Sequence, residues 1–105
     1  MNYDKNPLAS AIMQRNAAKA AALLKLLANA NRLRVLCSLA DGEKTVGELA
    51  KIAGLSQSAL SQHLTLLRQD GLLEADKRGQ KMYYRLCSME AKALLAVLFV
   101  MFCKS

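Results

Sequence analysis

The stretch Leu55 to Gly71, LSQSALSQHLTLLRQDG, constrains this chain most, because its residues fit a helix with one apolar stripe and one polar, almost uncharged face. Ser56 suits the N-cap, where a side-chain oxygen accepts an orphan backbone N–H of the first turn. Leu60, Leu64 and Leu67 recur at i, i+4 and i+7 and so face a core. Gln57, Ser58, Ser61, Gln62 and Thr65 then point outward, and Gly71 is placed to close the helix just past its C-cap. A solvated helix face ordinarily carries Glu and Lys at i, i+4 spacing, whereas this one has no charge before Arg68. Short hydrogen-bonding side chains of this kind can read base edges, Gln being suited to adenine. A polar surface helix is the plainer account of the same residues.

What precedes this stretch makes the first account more specific. Thr45-Val46-Gly47-Glu48 has capping-box spacing and opens a short helix carrying Leu49 and Ala53, which Gly54 ends. A short helix, a tight glycine turn and a second helix with polar leading residues form a helix-turn-helix pattern over residues 45–71. Upstream, Asn29 or Asn31 can cap a helix in which Leu33, Leu36, Cys37 and Ala40 share one face, so Cys37 is expected in a buried or half-buried row. Asp41-Gly42 breaks that helix. The Ala- and Leu-rich run from Leu8 to Ala28 predicts one long helix or two joined ones, with Leu23, Leu24 and Leu27 as its stripe and Arg15, Lys19 and Lys25 toward water. Residues Met1 to Pro7 are expected to fray.

Beyond Gly71 the periodicity changes from helical to alternating. Leu72 to Asp76 and Lys81 to Leu86 read as two strands, with Lys77-Arg78-Gly79-Gln80 as the hairpin turn. Lys77, Arg78, Lys81 and Arg85 crowd this hairpin, residues 72–87, with positive charge. Such a wing can hold phosphates or enter a minor groove, although solvated turns commonly carry charge as well. Ser88 can cap a last helix, residues 88–103, in which Leu94, Leu95, Val97, Leu98, Phe99, Val100, Met101 and Phe102 cover nearly the whole circumference. A helix apolar all round must be covered all round, and the economical cover is the same helix of a second subunit. A membrane-surface helix would need a Lys-rich face that this segment lacks.

Composition narrows the partners. The 105 residues suit one domain, residues 1–105, and with two Phe, three Tyr and no Trp the core must be aliphatic. A net charge of +7 favours a polyanion, nucleic acid first. No export signal is apparent, and the longest charge-free apolar run, Ala93 to Cys103, is too short to span a bilayer, so a cytoplasmic protein without a membrane partner is expected. Cys37, Cys87 and Cys103 contain no CxxC pair, and an odd number cannot all pair within one chain. None stands beside a base or a helix N-terminus, so no thiol enzyme is expected.

The segment NRLRVLCSLADGEKTVGELAKIAGLSQSALSQHLTLLRQDGLLEADKRGQKMYYRL closely resembles the ArsR/SmtB family of winged-helix repressors, and the resemblance extends over most of the chain. The SQSALSQHL helix and the placement of Cys37 and Cys103 resemble its persulfide- and redox-responsive branch. The fold implied is mainly α with a two-stranded β-wing, as a homodimer joined through helices at both chain ends. The function implied is a regulator, by expectation a repressor, on double-stranded operator DNA. Its DNA contacts would come from Ser56, Gln57, Ser58, Ser61, Gln62, His63, Lys77, Arg78, Lys81 and Arg85, and its sensing of a persulfide or oxidant from Cys37 and Cys103. Cys87 departs from the two-cysteine pattern. Metal-sensing members place cysteines on the short helix where this chain has Thr45 to Glu48, and carboxylate and His ligands on the last helix, where this chain has only Glu90. Hence no metal and no cofactor are expected. Three alternatives stay open: a winged-helix regulator or anti-silencing activator with structural cysteines and another inducer, a constitutive architectural protein, and a thiol-dependent enzyme.

Overall fold

The computed structural model describes residues 7–103. The fraying expected of Met1 to Asn6 lies outside the described residues, while Pro7 already begins a helix. In chain order the elements are α1 (Pro7–Leu27), α2 (Ala30–Leu39), β1 (Lys44–Thr45), α3 (Val46–Ala53), α4 (Gln57–Gln69), β2 (Leu73–Arg78), β3 (Lys81–Leu86) and α5 (Met89–Phe102). Helices dominate, and a β-hairpin projects between α4 and α5 as expected.

Local chemistry sets most boundaries. Asn29 caps α2 by accepting from Arg32 N, Ser56 caps α4 by accepting from Ala59 N, and Ser88 caps α5 by accepting from Ala91 N. Thr45 and Glu48 close a reciprocal capping box at the start of α3. Gly71, at φ +80, follows the C-cap of α4 in the left-handed region that a side chain would strain.

Val35 and Leu36 of α2, Leu49 of α3, and Leu60, Leu64 and Leu67 of α4 form the fully buried centre. Each such side chain contributes about 1.5–3 kcal/mol relative to exposure. Tyr84 and Leu86 of β3 and Leu95 of α5 close the core from the sheet and C-terminal sides.

Several expectations are corrected. The core row of α2 is Val35, Leu36 and Leu39, so Cys37 and Ala40 are exposed rather than buried. Successive helical residues differ by about 100°, and the core takes the face one step round from the one expected. On α1, Leu27 is buried but Leu24 is 55% exposed, and Leu26 replaces it against the core. The hairpin turn is only Gly79-Gln80, because Lys77 pairs with Met82 and Arg78 with Lys81 within the strands. Gly79, at φ +62, supplies the positive φ that a two-residue hairpin turn needs. The expected pair of strands also gains a third: Lys44 and Thr45 pair antiparallel with Tyr84 and Tyr83, giving the order β1-β3-β2.

Two helices are poorly covered. From Ala11 to Lys19, α1 is exposed on every side. On α5 only Ala91 and Leu95 are buried, while Phe99 is 61% and Phe102 75% exposed. Among the described residues no helix is long and apolar enough to cross a membrane.

Candidate functional site

The residues proposed for base reading lie on the outer face of α4. With Leu60, Leu64 and Leu67 turned into the core, Gln57, Ser58, Ser61, Gln62 and Thr65 are exposed together, and Ser56 is exposed at the cap. The cap hydroxyl of Ser56 also shares a hydrogen bond with that of Ser58 at 3.3 Å. Ser61 Oγ donates to the Gln57 carbonyl at 2.8 Å, which leaves its lone pairs outward as acceptors. The two glutamine amides carry both donors and acceptors into solvent.

His63 does not join this face. It is half-buried on the flank of the leucine stripe, and its Nδ1 accepts from Arg32 Nε of α2 at 3.3 Å. Arg32 also donates through Nη1 to the Leu26 carbonyl at 3.3 Å. The imidazole is thus turned toward the neighbouring helix.

The wing is less cationic than its sequence implies. Strand alternation puts Glu74, Asp76 and Arg78 of β2 on one face with Tyr83 and Arg85 of β3. Arg78 donates Nη1 and Nη2 to the two carboxylate oxygens of Glu43 at 2.5 and 2.6 Å, and Nε to Asp76 Oδ2 at 2.9 Å. Arg85 donates to Asp76 Oδ1 at 2.6 Å and to Glu74 Oε2 at 3.1 Å. The Arg78 guanidinium also lies 4.6 Å from the centre of the Tyr83 ring. Two guanidiniums therefore meet three carboxylates. The Arg78 hydrogen bonds pull Glu43 below the usual carboxylate range, and Arg78 and then Arg85 do the same to Asp76. Lys77 and Lys81 are exposed and stand in no ion pair among the described residues. The sequence reading missed Glu43, Glu74, Asp76 and Arg32. For Glu74 and Asp76 the available signal was the alternation Glu74, Asp76, Arg78 on one strand face.

The thiols fall into two settings. Cys37 lies near the end of α2, and Cys103 follows α5, its N–H donating to the Phe99 carbonyl at 2.8 Å; both are exposed. Cys37 borders an open groove between α2 and α5, walled by Glu43, Arg85, Lys92, Phe99 and Val100. Burial pushes the Cys37 thiol up, and the nearby Cys103 pushes it further. Cys87 stands apart at the base of the wing, with Sγ 3.5 Å from the Gly71 carbonyl, and burial followed by Glu74 raises its thiol. All three are free thiols. Among the described residues no group of three or more His, Cys, Asp or Glu gathers to hold a metal ion.

Residues 29–75, which run from the cap of α2 into the wing, match the model of the family described as bacterial regulatory protein, arsR family. The transcriptional activator HlyU of Vibrio cholerae is 50% identical over 93 residues, covering 89% of this chain and 86% of that protein. The chain belongs to the arsR family. Among its relatives, a biofilm growth-associated repressor of Xylella fastidiosa is 38% identical over 91 residues, covering 87% of this chain and 80% of that protein. The solved structure of reduced HlyU from Vibrio cholerae matches with a TM-score of 0.83, covering 88% of this chain and 97% of that one. That of the transcriptional repressor BigR from Xylella fastidiosa matches with a TM-score of 0.84 at 36% identity, covering 91% and 98%. As an arsR-family chain with this helix-turn-helix and wing, the protein is a DNA-binding transcriptional regulator.

Proposed function

We propose that this regulator binds its operator as a homodimer and releases it when Cys37 and Cys103 are bridged by a persulfide or an oxidant. The observation that carries the reading is the exposure of both thiols, Cys37 near the end of α2 beside the groove against α5 and Cys103 at the C-cap of α5, and the rise that Cys103 adds to the Cys37 thiol agrees with it. The relative solved in a reduced form supports it. The apolar side chains of α5 that one chain leaves exposed supply the dimer surface, with α1 beside them. The two α4 helices would then enter successive major grooves about 34 Å apart, one turn of DNA. Gln57, Ser58, Ser61 and Gln62, with Ser56 at the leading end, read bases, and Lys77, Lys81 and the wing arginines engage phosphates.

The covalent step needs a two-electron oxidant, which a polysulfide supplies. The Cys37 thiolate attacks a sulfane sulfur, forming a Cys37 persulfide and expelling a polysulfide shorter by one atom. The Cys103 thiolate then attacks the Cys37 sulfur, forming the disulfide and releasing hydrosulfide, so the sulfane sulfur is reduced as the two thiols are oxidised. Retention of additional sulfur gives a polysulfide bridge. Because Cys103 ends the helix proposed for the dimer contact, the bridge ties that contact to the helix leading into the helix-turn-helix. A hundredfold loss of DNA affinity corresponds to about 2.7 kcal/mol of coupling.

Fluorescence anisotropy on duplex from the promoter region of its own gene, at fixed salt, tests the reading. The reduced protein is expected to bind tightly, to lose at least tenfold in affinity after polysulfide, and to recover with a reductant. Equal loss in Cys37→Ala and Cys103→Ala variants would remove the thiol pair from the mechanism. A second reading, activation by displacing a silencer, is favoured by the name of the 50% identical relative, a transcriptional activator. Footprinting with and without a competing silencer separates the two.

A further inference from the structure

Arg78 occupies the last strand pair before the wing turn, opposite Lys81. That position adjoins the wing turn, a part of a wing that can meet a phosphate backbone. Yet its guanidinium is already occupied, with both Nη groups on Glu43 and Nε on Asp76. The two partners differ in origin. Asp76 belongs to the same strand, whereas Glu43 comes from the connection between α2 and β1, 35 residues away in the chain. A carboxylate meeting a guanidinium through two parallel bonds engages the same donors that a phosphate would take. An acidic residue on the scaffold thus competes with DNA for a basic residue of the wing.

We infer that Glu43 is an internal phosphate surrogate that withholds Arg78 from non-cognate DNA, so that the wing arginine transfers to the backbone only on a site that docks α4 fully. Both bonds lie at a solvent-accessible surface, with side chains 48% and 35% exposed, so exchange with an external anion is unobstructed. On non-cognate DNA the attraction rests on phosphates alone, and a wing whose arginine is held by Glu43 contributes one contact fewer. On the operator the base contacts of α4 hold the wing against the backbone, and Arg78 exchanges one anion for another. Glu43 therefore sharpens discrimination without touching a base. The inference rests on the reading that this wing faces DNA.

Four proteins test it, the parent, Glu43→Gln, Arg78→Gln and the double variant, each titrated over a range of salt on a scrambled duplex and on a duplex selected from random sequence by the parent. On the scrambled duplex, Glu43→Gln is expected to bind several-fold more tightly, with the salt dependence steeper by about 0.9 in log–log slope, the signature of one more phosphate contact. Arg78→Gln should abolish that gain. A gain of the same size in the Arg78→Gln background would reduce Glu43 to bulk charge and overturn the inference, as would an unchanged affinity and slope in Glu43→Gln. On the selected duplex, Arg78→Gln is expected to weaken binding and flatten the slope. If it does neither, the wing does not face DNA; that failure is separate, because it is read without altering Glu43. Thermal unfolding of all four proteins establishes that the comparison is made between folded species.

Discussion

Arg32 and His63 join α2 to α4: the guanidinium Nε–H donates to the imidazole Nδ1 at 3.3 Å, while Nη1 reaches the Leu26 carbonyl at 3.3 Å. One side chain thus ties together α1, α2 and α4. Arg32→Met, which keeps the apolar stem and removes the donors, is expected to lower stability by about 1.5–3 kcal/mol, the usual worth of a hydrogen bond to a charged group. Urea unfolding followed by circular dichroism measures it, and a midpoint equal to that of the parent would refute the brace.

The leucine stripe of α4 sets the outward angle of its polar face. Leu64, 1% exposed, sits at the middle of that stripe. Leu64→Ala should cost about 2–5 kcal/mol. The same urea measurement checks it; a loss under about 1 kcal/mol would mean that the site is not packed as described.

Acid should unfold this protein partly through the wing and the α3 cap. Glu43, held chiefly by its Arg78 hydrogen bond, Asp76, held by Arg78 and then Arg85, and Glu48, held by the Thr45 backbone and hydroxyl, all lie below their ordinary values of 4.5 for Glu and 3.8 for Asp. A carboxylate depressed on folding stabilises the native state above its unfolded value, and that contribution fades as pH falls through the folded one. The urea midpoints of parent and Glu43→Gln should therefore differ at neutral pH and converge as pH drops below 4.5. A constant gap down the acid limb would contradict the assignment.

Cys103 should influence the ionisation of Cys37. Cys37 is raised first by burial and then by Cys103, so Cys103→Ser in a Cys87→Ser background should lower the pH at which Cys37 ionises. The rate of alkylation by iodoacetamide against pH, read at Cys37 by mass spectrometry, reports the shift. An unmoved profile would place the thiols too far apart to bridge.

Phe99 is 61% exposed on α5, so Phe99→Glu leaves the core of a single chain intact. Sedimentation equilibrium is expected to show self-association weakened at least tenfold, about 1.4 kcal/mol, with operator affinity falling in parallel. Unchanged association would move the dimer contact away from α5.

What was legible in the sequence was local. Ser56, Ser88 and the Thr45–Glu48 box cap helices within three residues of themselves, so their spacing alone reveals them. The alternation that buries Tyr84 and Leu86 marked β3 in the same way. The face of α2 was ambiguous because Leu33, Leu36, Cys37 and Ala40 form as regular an apolar row as Val35, Leu36 and Leu39, and only the neighbouring helices decide between them. β1 has two residues, too few for any period to show, and exists because β3 offers it an edge. The charge of the wing was misjudged for a related reason: Glu43 is 35 residues from Arg78, and no window along the chain contains the pair.

The connection between the third and fourth helices is three residues long and fully tied down. Gly54, at φ +67, returns its N–H to Ala50 and Lys51, Leu55 N reaches the Ala50 carbonyl at 3.0 Å, and Ser56 caps the helix that follows. Such a joint leaves little slack, so a rotation of either helix carries the other with it. The side chains of α4 are thereby held in one arrangement relative to α3. If the proposed thiol switch empties the promoter, it does so without rewriting the consensus, and binding-site logos gathered before and after should differ in depth, not in spelling.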